Sequence, residues 1–151
     1  MSIEKDISQR KFKTEYQKAM INLIFTHNWM MERMKLFFEQ ADLTPQQFNI
    51  LRILRGAGEP LSTLQIRQRM LDKMSDTSRI VDRLIKKGLV KKVVCKSDRR
   101  LVDVSITEKG LKLLERLDNM QPDLDGILHN LDESDARQFN HLLDKIRNSS
   151  E

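Results

Sequence analysis

The chain has 151 residues, 27 Lys/Arg against 22 Asp/Glu for a formal net charge of +5, and one cysteine. That length suits one domain with an adequate core, or a domain plus an oligomerisation arm. A lone cysteine, Cys95, excludes an internal disulfide framework. No apolar run reaches membrane-spanning length and MSIEKDISQRKF lacks the apolar region of a signal peptide, so a cytoplasmic protein with no membrane role is expected.

From about Ser8 to Gln40 neither Pro nor Gly interrupts the chain, and Tyr16, Met20, Leu23, His27, Met30, Met34 and Phe37 recur at alternating spacings of four and three. This is a helical seam. Ala19, Ile24, Met31 and Phe38 widen the stripe, and a helix so long and so apolar needs a partner surface, which predicts part of it in a dimer interface.

Two helix starts follow with one grammar. In LTPQQF, Thr44 can cap, Pro45 suits the first helical position, Gln47 completes a capping box, and Leu43 and Phe48 occupy the staple positions. In LSTLQI, Ser62 and Gln65 repeat the box while Leu61 and Ile66 repeat the staple; Gly56 and Gly58 separate the two helices. A third helix starts between Asp72 and Ser75 and runs to Lys87, where Gly88 stops it. Its inner face is Thr77, Ile80, Val81 and Leu84, and its outer face carries Ser75, Asp76, Ser78, Arg79, Asp82, Arg83 and Lys86.

Leu89–Lys96 reads as a strand, SDRR as a hairpin tip, and Leu101–Ile106 as a second strand with Val102, Val104 and Ile106 inward. Thr107 can cap a helix from Glu108 through Leu111, Leu114 and Leu117, which Pro122 should kink or end. A last helix, roughly Glu133–Asn148, carries Phe139, Leu142, Leu143 and Ile146.

Charge follows these elements. Ser75–Arg100 holds nine Lys/Arg and three Asp, a local +6, which leaves −1 for the rest of the chain. Three helices, then a hairpin, with the basic charge on the third helix and the hairpin, describe a winged helix-turn-helix: mainly α with a small β-hairpin. Arginines and short polar side chains on one helix face suit base edges in a major groove, and arginines at a hairpin tip suit the negative potential of a narrow minor groove.

LTPQQ at Leu43–Gln47, RIVDRLIKKGLV at Arg79–Val90 and DRRLVDVSITEKG at Asp98–Gly110 resemble the multiple-antibiotic-resistance regulator (MarR) family, over nearly the whole chain. The resemblance implies a single domain over 1–151, with the winged helix-turn-helix at about 43–107 and dimerisation helices at about 8–40 and 108–149. It implies a homodimeric regulator of transcription on a pseudo-palindromic site in double-stranded DNA; such regulators are most often repressors. Ser75, Asp76, Ser78 and Arg79 match the exposed start of the recognition helix, Asp98 and Arg100 the wing pair. Arg83, Lys86, Lys96, Ser97 and Arg99 complete the expected DNA contacts. The chain departs from the family pattern at Gln65–Gln68, where a Leu-Ala pair is common, and at Asp76, where neutral residues are.

The family also implies a cleft between dimer region and winged helix in which some members bind small aromatic effectors. Trp29, Met30, Met31 and Met34 lie on the helix that would wall it, although at helical spacing core or interface packing is the first expectation for such residues. Cys95 reads as a small strand residue. His27, His129 and His141 lack metal-ligand spacing, and no phosphate loop or nucleophile-base signature is present, so neither a metal, a cofactor nor an enzyme is expected. The rival reading is a helical interaction module whose basic hairpin binds an acidic partner protein; competition between operator and random duplex separates the two.

Overall fold

The computed structural model describes residues 1–94, 97–98 and 102–148. A short helix α1, Ile3–Asp6, precedes the long helix α2, Glu15–Glu39. The expected start near Ser8 is therefore corrected to Glu15. Thr14 is the cap, its Oγ1 accepting from the Gln17 N–H at 3.0 Å, while Gln17 Oε1 accepts from the Lys13 N–H at 2.7 Å. Ser8 itself has left-handed backbone, φ 56°, which no helix interior accommodates. A 2.5 Å ion pair from Glu4 to Lys18 ties α1 to α2, and its hydrogen bond holds the Glu4 carboxyl down to about 2.

Helices α3, Pro45–Ala57, and α4, Thr63–Arg69, begin at the two expected capping boxes. Gln47 and Gln65 donate their N–H groups to Thr44 Oγ1 (3.2 Å) and Ser62 Oγ (3.1 Å), and their side chains accept in return from the cap N–H. Gly56 lies inside α3, so Gly58 alone of the expected pair ends it, in left-handed conformation at φ 67°. Helix α5 spans Thr77–Lys86, and its inner face is as expected, with Thr77, Val81 and Leu84 buried and Ile80 packed against the core.

The expected hairpin is part of a larger sheet. Strands β2, Val90–Val94, and β3, Val102–Ile106, pair antiparallel, and a third strand β1, Leu61–Ser62, joins the other edge of β3 to give the order β1-β3-β2. Leu61 opposes Val104, and both are buried. The alternation expected for β3 fails at its start: Val102 is 44% exposed, because it pairs with Val94 beyond the edge of the core.

Helix α6, Glu108–Asp118, starts at Thr107 and ends before Pro122, which sits in the first turn of a new short helix α7, Gln121–Asp125. A 3-10 turn, Gly126–Leu128, leads to α8, Glu133–Arg147, capped by an Asp132/Asp135 box. The core centres on α3, which packs against α5, α6 and β3 and contributes Ile50, Leu51 and Leu54 to a cluster with Phe38, Leu84 and Leu114. Two apolar surfaces lie outside it: the first half of α2 (Tyr16, Met20, Leu23, Ile24) and α8 (Phe139, Leu142, Ile146) are exposed, and α8 buries no residue within the chain.

Candidate nucleic-acid interface

The position of α5 follows from contacts at both its ends. At its N-terminus Asp76 is the cap: Oδ1 accepts from the Arg79 N–H at 3.2 Å, and a carboxylate there also complements the positive end of the helix dipole. Asp76 thus spends its side chain on holding the helix, which accounts for an acid where neutral residues are common. The preceding turn is organised by Asp72, whose Oδ1 accepts from the Met74 N–H (2.9 Å) and whose carbonyl accepts from Ser75 Oγ (2.8 Å). Ser75 is consequently half-buried and engaged. Asn49 on α3 fixes the start of the same turn, accepting from the Leu71 N–H at 2.9 Å.

At the other end, Lys87 donates to the Asp42 carbonyl and, at 3.3 Å, to Gln47 Oε1, so the close of α5 is tied to the α2–α3 turn. Gly88, at φ 72°, turns the chain into β2. Thr107 Oγ1 donates to the Gly88 carbonyl (2.7 Å), and Lys109 Nζ donates to the Lys87 carbonyl (2.9 Å). The hydroxyl that caps α6 therefore also holds the helix-to-wing junction.

With the inner face packed, Ser78, Arg79, Arg83 and Lys86 are exposed on the outer face of α5. Asp82, on that face, has Lys92 of β2 at 3.9 Å, a loose exposed pair. Lys91 and Lys92 are exposed on β2 beside the helix. In the wing, Ser97 is exposed and Asp98 half-buried, each with an interaction partner. Lys96, Arg99 and Arg100, and also Cys95, lie outside the described residues.

Trp29, Met30, Met31 and Met34 are all half-buried on α2, with Met34 against the core and the Arg33 guanidinium 3.8 Å from the Trp29 ring centroid. They line neither of two surface hollows among the described residues. One, of about 690 Å³, is walled by Lys86, Lys87, Lys109, Lys112 and Arg116. The other, of about 480 Å³, lies between α4 and the start of α5, includes Arg67, and brings in Leu64 and Met74, which sequence reading did not single out. Their signal was weak: apolar residues in a helix-turn-helix read by default as core. Among the described residues no His/Cys/Asp/Glu group is placed to hold a metal ion, and no helix is long and apolar enough to cross a membrane.

Comparison with known proteins agrees with this architecture. The MarR family model matches residues 41–101. The HTH-type transcriptional repressor MdtR of Bacillus subtilis (strain 168) is 31% identical over 114 residues, 75% of this chain and 73% of that protein. A MarR transcription factor from Planctomyces limnophilus superposes with a TM-score of 0.67 at 32% identity, over 89% of this chain and 98% of the other. A cysteine-to-serine variant of MarR from E. coli, complexed with operator DNA, shares the fold with a TM-score of 0.80 at 21% identity, over 92% and 100%. The chain belongs to the MarR family of winged helix-turn-helix transcriptional regulators.

Proposed function

We propose that the protein is a homodimeric transcriptional repressor that reads a pseudo-palindromic operator in double-stranded DNA, with α5 in the major groove and the wing at the flanking minor groove. The observation that carries this reading is the two-sidedness of α5. One face is locked into the core, and the other presents Ser78, Arg79, Arg83 and Lys86 from a backbone fixed at both ends. Arg79 and Ser78 then work on base edges, and Arg83, Lys86 and Lys96 on phosphates. Ser75 and Asp76 contribute by shaping the helix start. In the wing, Arg100 enters the minor groove, with Arg99 and Ser97 beside it and Asp98 orienting the basic neighbours.

The dimer is built from α2 together with α6 to α8, where Tyr16, Met20, Leu23 and Ile24 on α2 and Phe139, Leu142 and Ile146 on α8 are left exposed. A small aromatic effector is the further part of the proposal. Trp29, Met30, Met31 and Met34 form the half-buried band of α2 between its packed end at Phe37 and its exposed first half, so a pocket there takes its other wall from the second protomer.

Shift assays on the DNA upstream of the protein's own gene test the reading. Arg79→Ala relaxes discrimination at inner positions of the site. Arg100→Ala weakens binding by about 1–3 kcal/mol and removes the preference for A·T at the flanks. Binding and preference unchanged in both variants would overturn it.

A further inference from the structure

The first turn of α4 and the turn between α4 and α5 display apolar side chains on a face otherwise made of charged and hydroxyl groups. Met74 is 92% exposed and Leu64 is 64% exposed, and both line the 480 Å³ hollow, together with Ser75, Ser78 and Arg67. The buried apolar work of this motif is done by other residues, Ile66 and Met70, so Met74 and Leu64 are not core side chains displaced outward. Nor do they belong to the uncovered surfaces of α2 and α8, which are separate elements. Leu64 is held within the first turn of α4, and at the following turn Met74 donates its N–H to Asp72 Oδ1 while Lys73 Nζ donates to the Gln68 carbonyl. The start of α4 and an ordered turn therefore present one apolar group each beside the first residues of α5, where Ser78 and Arg79 begin the outer face.

A duplex major groove contains one apolar feature, the C5-methyl of thymine. We propose that Met74 and Leu64 form a thymine-methyl contact, so that the hollow between α4 and α5 reads T by apolar burial beside the hydrogen-bonding residues of α5. The unbranched thioether of Met74 can adapt to one or two methyls at slightly different positions. This inference rests on the proposed DNA reading and specifies one base preference within it.

The test uses the full-length protein and a duplex selected by it from a random-sequence pool, with each thymidine replaced in turn by deoxyuridine. That change removes the methyl and leaves every hydrogen-bonding group in place. Removing a contacted methyl should weaken wild-type binding about fourfold per half-site, the equivalent of one buried methylene. Met74→Ala and Leu64→Ala should bind the thymidine duplex more weakly and lose the thymidine–deoxyuridine difference at those positions. Leu71→Ala should keep it, since Leu71 is 88% exposed on the same turn but outside the hollow. All three positions are exposed, and equal thermal midpoints would exclude misfolding as the cause. If the wild type discriminates selected from random duplex yet binds thymidine and deoxyuridine forms equally, the methyl contact is overturned and DNA reading stands. If Met74→Ala and Leu64→Ala keep the difference, the assignment to these residues is overturned. Failure to prefer the selected duplex at all overturns both.

Discussion

At Gly110 a missing Cβ sets how closely α6 approaches the sheet. A Cβ there would meet the Leu89 carbonyl oxygen at 2.4 Å and Ile106 Cγ1 at 2.7 Å, and the Leu89 oxygen already accepts from the Thr107 N–H at 3.0 Å. Backbone cannot retreat as a flexible side chain can, so Gly110→Ala should destabilise by about 1–3 kcal/mol, read from urea denaturation at an unchanged slope. The Thr-Glu-x-Gly signature is thereby given a physical meaning: Thr107 caps and clamps, and Gly110 permits contact. Arg55 and Asp118 make a two-pronged pair, Nη1–Oδ2 2.7 Å and Nη2–Oδ1 3.1 Å, joining α3 to α6. The Arg55 hydrogen bond holds the Asp118 carboxyl below its ordinary range. A carboxyl depressed on folding stabilises above its unfolded pKa, about 3.9, and that contribution is lost as pH falls through the lower folded value. Asp118→Asn should therefore lower stability at pH 7, by no more than about 1 kcal/mol because both groups are partly solvated, and the difference should shrink at acid pH. Urea midpoints of the two proteins at pH 7 and pH 3 check this. At this scale the sequence was legible where a residue's role is local. Asp76 was placed at the helix start, but its role as the cap depended on where the first turn closes, which the flanking Asp72 and Ser75 left open.

Three helix starts were readable to the residue, those of α3 and α4 from a reciprocal box and that of α6 from the Thr107 cap. Thr44/Gln47 and Ser62/Gln65 each satisfy two backbone donors within four residues, so no tertiary information is needed to place α3 and α4. The start of α2 was misjudged because apolar periodicity has no stop signal of its own; the Thr14 cap becomes visible only with the Gln17 side chain folded back on Lys13. Strand β1 is two residues long, too short for any alternation, and its partners Val104 and Asp103 lie 43 and 41 residues away in the chain. Val102 failed for a related reason, since alternation assumes that a core underlies the whole strand. At the element scale the cap of α5 can be tested. Asp76→Ala should cost about 1 kcal/mol, whereas Asp76→Asn, which keeps an accepting oxygen, should stay within a few tenths of wild type. Asp76→Asn also removes a negative charge from the end of α5 proposed to meet DNA, so its affinity for random duplex should rise; filter binding at fixed salt measures that.

The whole molecule carries more apolar surface than one chain covers. Tyr16, Met20, Leu23 and Ile24 on α2, and Phe139, Leu142 and Ile146 on α8, are large and exposed, and burial of such side chains contributes roughly 1.5–3 kcal/mol each. Sedimentation should find dimers at micromolar concentration, and Leu142→Asp with Ile146→Asp should shift the protein to monomer with loss of operator binding. This arrangement was legible as an unpartnered seam in the sequence, while its geometry needs a second protomer. The wing tip expected at Arg99 and Arg100 lies outside the described residues. In the proposed complex α5 reads sequence rather than charge. The most direct measurement is competition at physiological salt, in which unlabelled selected duplex and unlabelled random duplex each displace a labelled selected duplex. A sequence reader requires the selected duplex to compete at concentrations about a thousandfold lower or more. Equal competition by the two duplexes would mean that α5 senses charge alone.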